Sequence, residues 1–294
     1  MAASRKATYI FAIALTLAVL GIYLPGLRNE LLFDDLRLSD GTIFGEYGSL
    51  LQFKQRLLSY GSFVWLQNLV GEGWWKQRIF NIVLHLGAVA ALYALLKALL
   101  EHAKFPKDFE EQTHFGASRT AALQVGVALF ALNPVAVYAV GYLVQRSIVM
   151  ATLFAVLACW LFVRGLQTNR AGWYVASLVS YVFAVLSKEY AVMTVAMAVP
   201  LYVYVRRPGT QAIAAVTGGS LFALPFTGIA FWGIYGSLVG KVFDPRSVAL
   251  VQQLEAMRPG IAGHIYPLSI LNEAALFFAY GFLWFIPNVQ WMSV

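Results

Sequence analysis

A succession of apolar runs, most of them long enough to cross a hydrocarbon core, constrains this chain more than any other feature. A spanning helix needs about 20 such residues, and in lipid only helices or closed barrels satisfy every backbone polar group. The first run is Tyr9–Leu27 and the second Ile79–Leu100. A third starts near Thr120, breaks at Asn133-Pro134 and re-enters near Ser147, and the fourth ends at Arg164. A fifth covers Trp173–Ser187, a sixth Tyr190–Val205, a seventh Gln211–Tyr235, and a last begins near Leu271. The expected fold is therefore an all-α polytopic membrane protein with about eight spans. Charged residues make up 12% of the chain, about half the share of a soluble globule.

The short basic start, MAASRKA, precedes a run too long for a signal-peptide core and lacks a small-residue cleavage site, so it reads as an uncleaved first span. Residues 1–294 read as a single transmembrane domain with two long polar loops, about 28–78 and 237–270. The final residues, PNVQWMSV, carry no polar tail, which suggests a membrane domain that is incomplete at its C-terminus. Within the first loop, Leu50, Phe53, Leu57, Tyr60 and Val64 recur near helical spacing opposite Lys54, Gln55, Arg56 and Ser59. That pattern predicts an amphipathic helix lying in the interface plane, or a structural brace at the membrane surface.

With the N-terminus cytoplasmic, the inner segments hold ten basic residues, Arg5, Lys6, Lys97, Lys104, Lys107, Arg119, Arg164, Arg170, Arg206 and Arg207. Against them stand four acids, Glu101, Asp108, Glu110 and Glu111, so six of the seven net positive charges face inward. Both long loops then face outward. The basic residues form no tract with interleaved aromatics, so the charge points to orientation and anionic lipid, with no nucleic-acid partner.

Charges at the outer ends of the runs are costly there and mark candidate functional positions. NELLFDDLRLSD, residues 29–40, sets Asp34 and Asp35 side by side. Arg78, Asn81 and His85 share one helical stripe, where a snorkelling arginine with two satisfied bundle polars is the alternative. Arg146 stands at an outer turn against the positive-inside tendency, and Lys188-Glu189 interrupts two runs, each with an ordinary loop or ion-pair alternative. Carboxylates opposite fixed cations suit an anionic phosphate substrate: the cations hold the leaving phosphate, and a carboxylate takes a hydroxyl proton or holds a metal. Asp34 and Asp35 are candidate ligands for Mg²⁺ or Mn²⁺. His264, in the second loop, is a supporting candidate beside a bland loop role.

The FDD loop, R-x-x-N-x-x-x-H entering the second run, NP…QRS and LSKE together resemble the GT-C fold of integral membrane glycosyltransferases. The closest likeness is to TMTC-type protein O-mannosyltransferases and bacterial relatives, some of which glycosylate pilins. This resemblance implies a polyprenyl-phosphate sugar donor, a protein or glycan acceptor and an active site on the outer, periplasmic face of a bacterial inner membrane. It implies Asp34 and Asp35 as catalytic carboxylates and Arg146 and Lys188 as donor-phosphate ligands; by their own positions Arg78 joins the phosphate ligands, and Asn81, His85 and Glu189 are supporting candidates. Inversion by direct displacement needs a single base. Relatives often carry HP…TE where this chain has Asn133-Pro134 and Tyr138.

No phosphate-binding P-loop, dinucleotide fingerprint or H-E-x-x-H is present, and the single cysteine, Cys159, forms no disulfide within one chain. Two other classes stay open. A transporter or flippase would place polar groups near the bilayer middle on broken helices. A non-catalytic scaffold would leave its outward acids merely solvated.

Overall fold

The computed structural model describes residues 2–48, 54–219, 221–222 and 245–286. The chain forms two compact units, Met1–Phe222 and Ala223–Val294. The described residues are helical, with no strand among them, and the protein is an all-α polytopic membrane protein.

Four helices are long and apolar enough to cross a membrane: Lys6–Arg28, Trp74–His102, Arg146–Thr168 and Pro267–Phe285. The first unit opens with α1 (Ala2–Tyr23) and two 3₁₀ turns, Leu24–Arg28 and Phe33–Asp35. Three short helices follow, α2 (Leu36–Ser39), α3 (Thr42–Glu46) and α4 (Leu57–Val70), before the long α5 (Trp74–His102). A short α6 (Lys107–Glu110) leads to α7 (Phe115–Ala131), α8 (Ala136–Gly141), α9 (Arg146–Thr168) and α10 (Ala171–Ser187). A 3₁₀ helix, Glu189–Met197, runs directly into α11 (Ala198–Arg206), and α12 covers 210–219.

The expected third, fifth and sixth spans are present as helices that are shorter or less regular. α7 stops at Ala131 because Asn133 turns its side chain back onto the Val135 N–H, 2.9 Å away, ahead of the α8 turn. The Ala131 carbonyl, stranded at that end, accepts from His85 Nε2 at 3.0 Å instead. The expected sixth span is the 3₁₀–α11 run, whose mixed rises give it a length of roughly 30 Å. Of the expected seventh, only the part up to Phe222 lies within the described residues.

Packing follows the apolar stripes. Leu15, Val19 and Tyr23 of α1 meet Ile82 and Val89 of α5, Leu123 and Val127 of α7, and Val149 of α9. Small residues let the later helices approach closely, as Ala151, Ala184 and Ala191 do where α9, α10 and the 3₁₀ helix meet. Gly165 serves the same end, since a Cβ there would meet the Tyr174 ring at 2.8 Å. Ile10, Ile13 and Leu17 of α1 and Val175, Leu178 and Val182 of α10 stay exposed, as lipid-facing positions should.

These short helices form a cap on the mouth of this bundle, with Leu38, Ile43, Tyr47, Tyr60 and Phe63 packed on Leu143 and Val144. Of the two expectations for this segment, the structural brace describes it better. α4 begins only at Leu57, and Leu57 through Val64 are buried apart from the half-buried Leu58, so its first half is a brace held by the bundle rather than a helix floating on lipid. Only its far end, at Leu69 and Val70, is open. Leu50 and Phe53 lie outside the described residues.

The second unit contains α13 (Pro245–Met257), a 3₁₀ turn, Ile261–His264, and α14 (Ile265–Phe285). Glu255 closes the turn by accepting from the Gly260 and Ala262 N–H groups at 2.6 and 2.8 Å, with Gly260 at φ +87°. These bonds hold the Glu255 carboxyl below its usual range.

Candidate functional site

The adjacent aspartates have opposite surroundings. Asp35 is 2% exposed, and its two oxygens accept from the backbone N–H groups of Leu143 and Val144 at 3.0 and 2.9 Å. Burial raises its carboxyl above the usual range, and the two N–H bonds and the nearby Arg78 oppose that only in part. Asp34, at the same 3₁₀ turn, is exposed. Asp35 thus ties the first loop to the α8–α9 connection and presents Asp34 at the mouth of the bundle.

Arg146 is fully buried without a carboxylate partner. Its Nε donates to Asn81 Oδ1 at 2.7 Å and its Nη1 to Ser62 Oγ at 3.1 Å. Its Nη2 donates to both Gln77 O and Gln77 Oε1, at 2.9 and 2.8 Å. The guanidinium stacks on Phe63, 3.7 Å from the ring centroid, and lies 4.9 Å from that of Phe80. Neutral acceptors and aromatic faces replace water around the cation. Four of its five N–H donors are committed in this way, so Arg146 as placed holds α4, α5 and α9 together.

Arg78 turns a different way from the stripe it was assigned to. Its Nη1 and Nη2 donate to the carbonyls of Leu27 and Glu30, both at 3.2 Å, which clamps the chain leaving α1. The stripe that meets Arg146 is Gln77 and Asn81, four residues apart. Asn81 also donates to the Val140 and Tyr142 carbonyls, at 3.3 and 3.5 Å. His85 lies deeper, between Tyr23 and Phe130, bonded to Ala131 as described. It is a satisfied bundle polar and does not reach the mouth.

Lys188 is the candidate cation left partly open. It connects α10 to the 3₁₀ helix in an extended conformation, φ −157° and ψ 135°. Both neighbours are anchored to the start of α4: the Ser187 carbonyl accepts from Ser59 Oγ at 2.8 Å, and Glu189 takes a two-pronged bond from Arg56 at 2.9 and 2.5 Å. Lys188 is fixed at its backbone, while its Nζ lies 5.9 Å from the centroid of the Tyr190 ring and reaches Gln145 Oε1 at a long 3.5 Å. Gln145 is itself held to Tyr138 Oη at 2.9 Å. Burial, then the nearby Arg56, pushes the Lys188 ammonium below its usual range; Glu189 and Asp34 act on it in the opposite sense. Asp34 therefore lies within electrostatic reach of Lys188.

The mouth brings together Asp34, Asp35, Arg78, Lys188, Glu189 and Arg56. Arg146 and Asn81 form a buried polar layer behind it. His264 belongs to the second unit, where its Nδ1 donates to Gly260 O at 3.1 Å. Arg56, Gln77, Ser62 and Gln145 were missed in the sequence. Arg56 sat on the polar side of the expected helix, and its φ of +58° at the α4 N-cap, 133 residues from Glu189, leaves no local signal.

Asp35 is buried with a backbone N–H on each oxygen, which leaves Asp34 as the carboxylate of the pair that is open to a ligand. Among the described residues, no group of three or more His, Cys, Asp or Glu side chains gathers into a metal-binding cluster. Two cavities adjoin the mouth's elements. One of about 510 Å³ starts a turn beyond Asp34, lined by Ser39, Phe44, Gln67, Glu72, Trp74 and Gln77 among others. The other, about 250 Å³, is an apolar groove between α9, α10 and the 3₁₀–α11 run, lined by Cys159, Phe162, Leu178 and Leu201 among others.

An exposed carboxylate and a half-buried ammonium thus stand at the mouth of an apolar bundle, with a groove among its helices. The family model for dolichyl-phosphate-mannose-protein mannosyltransferase matches residues 114–248. That segment includes Gln145, Arg146, Lys188 and Glu189 and leaves Asp34 and Asp35 outside it, and the match supports a membrane glycosyltransferase of GT-C type. No curated protein and no solved structure matches the chain.

Proposed function

We propose that this protein transfers a sugar from a polyprenyl-phosphate donor to a hydroxyl of a protein or glycan acceptor at the outer face of the membrane, with Asp34 as the general base. The observation that carries this reading is a half-buried Lys188 whose bond to Gln145 is long, at the mouth where Asp34 stands open. The acceptor oxygen attacks the anomeric carbon of the donor and its proton passes to Asp34. The bond from that carbon to the phosphate oxygen breaks, and polyprenyl phosphate leaves with the electron pair. Lys188 offsets the charge growing on the leaving phosphate. A single base and a direct displacement invert the anomeric centre. Trp74, Phe44 and the Gln67 amide would wall the acceptor, and the apolar groove suits a prenyl tail. No step requires a metal held by the aspartate pair.

The test is transfer in reconstituted membranes from defined polyprenyl-phosphate sugars, including the mannosyl donor, to a hydroxyl-bearing acceptor such as a pilin. A positioned general base contributes about 10²–10⁴-fold, so Asp34→Asn should lose that much activity while melting with the wild type. Full activity in Asp34→Asn would leave a non-catalytic scaffold as the better reading. Donor movement across the bilayer without transfer would favour a flippase. Activity that survives a chelator supports the metal-free route, and activity lost to a chelator and restored by Mg²⁺ or Mn²⁺ overturns it.

A further inference from the structure

At the opposite end of the first unit, a cleft of about 440 Å³ opens among the start of α1, the end of α5 and the start of α7. Its walls include Thr8 and Tyr9, then Lys97 and Glu101, then Arg119 and Thr120. Lys97 lies nineteen residues beyond Arg78 on α5, which separates the cleft from the mouth by roughly 28 Å. Lys97, Glu101 and Arg119 are exposed, and among the described residues none of them forms an ion pair, although Lys97 and Glu101 are four apart on one helix. Two cations therefore share a cleft without spending their charge on each other's neighbour.

The surroundings identify the ligand. Tyr9 opens onto the lipid-facing side of α1, where Ile10, Ile13 and Leu17 are all more than 60% exposed. These three stand at helical spacing, so they make a stripe running from the cleft into the hydrocarbon. Leu100 and Leu123 give the cleft an apolar floor. A polar cleft at the head of an exposed apolar stripe is shaped for a molecule with a charged head and an acyl tail. We infer that Lys97 and Arg119 bind the phosphate of a phospholipid from the N-terminal-side leaflet, with its tail along Ile10, Ile13 and Leu17. Glu101 leaves the three charged groups at a net +1, which suits a singly charged phosphodiester, and it accepts from a hydroxyl or ammonium on the headgroup. This site goes beyond the proposed transfer reaction and does not depend on it.

The experiment is lipid retention by the purified full chain, read by native mass spectrometry and by melting temperature with added phosphatidylglycerol, phosphatidylcholine or inorganic phosphate. Phosphatidylglycerol should be retained at one preferred site and raise the melting temperature. Phosphatidylcholine, whose headgroup has no hydrogen-bond donor, should not compete. Lys97→Gln with Arg119→Gln should weaken phosphatidylglycerol binding roughly ten- to thirty-fold, given the usual contribution of a basic residue at a lipid surface. Lys104→Gln with Lys107→Gln removes two charges from the α5–α7 connection without touching the cleft and should change binding less than threefold. Equal losses in the two double variants, or none in the first, would overturn the site. Equal stabilisation by inorganic phosphate alone would assign the cleft to a soluble anion and overturn the lipid.

Discussion

The buried layer around Arg146 and the open rim around Asp34 and Lys188 use the same residue types in contrary ways. Where the charges are buried they are spent: Arg146 in the layer on three neutral side chains, a carbonyl and two rings, and Asp35 at the edge of the mouth on two backbone N–H groups. At the rim, the backbone around Lys188 is fixed while its ammonium has just a long bond to Gln145 and the face of Tyr190. A polar group whose bonds are complete inside protein rigidifies the fold, whereas one left short of partners at a mouth is available to substrate. Rigidity in the first region is what holds the second in place, because Asp35 fixes the turn that carries Asp34.

The contrast breaks first at Arg146. Arg146→Met leaves Asn81 Oδ1 and Gln77 Oε1 buried without their donor, which should cost about 3–5 kcal/mol, the scale of breaking a buried charged network. Little folded, monodisperse protein should be recovered, whatever donor is present. A variant that melts with the wild type but binds donor poorly would move Arg146 from the layer to the rim. Asp35→Ala comes next, since two buried N–H groups lose their acceptor at about 1–3 kcal/mol each at most. Its melting temperature should fall several degrees, while Asp34→Asn stays within about 0.5 kcal/mol of the wild type. Equal destabilisation by both substitutions would erase the division between the two aspartates.

Lys188→Gln tests the rim from the cationic side. Loss of the charge that offsets the leaving phosphate should lower kcat and kcat/KM together by about 10–100-fold, with melting unchanged and partial rescue by Lys188→Arg. A rise in KM alone, at constant kcat, would show that Lys188 holds the bound donor and does not act on the departing phosphate.

Sequence periodicity made the membrane class and most helices legible, because lipid forces apolar runs of spanning length. It also located Asp34, Asp35, Arg78, Arg146 and Lys188 as charged anomalies in an apolar chain. It did not separate spent charges from available ones, since that depends on partners far along the chain. Arg146 meets Ser62 and Gln77, 84 and 69 residues away, and nothing in a lone glutamine or serine marks it as a ligand for a cation. Arg78 misled for the same reason: its spacing to Asn81 fits one stripe, yet it turns to the Leu27 and Glu30 carbonyls. His85 read as functional by its place on that stripe, and its partner is a carbonyl freed by the break at Asn133-Pro134.

The smallest expected effect is the sharpest in sign. Arg56, bonded to both Glu189 oxygens, brings the Glu189 carboxyl down to about 2. An unfolded glutamate titrates near ~4.3, so the folded state binds fewer protons between these values. The stabilisation from Glu189 is therefore complete above that unfolded value and is lost as the pH falls toward 2. Asp35 runs the other way: burial raises its carboxyl, so its titration favours the folded state at low pH and that contribution is lost as the pH rises through the raised value. Melting temperatures between about pH 3 and 7 should then show the wild type losing its advantage over Glu189→Gln on acidification while gaining on Asp35→Asn. Two gaps that move in the same direction would mean that the ion pair at the rim and the buried aspartate are held by one kind of environment, and the distinction between spent and available charge would have to be drawn elsewhere.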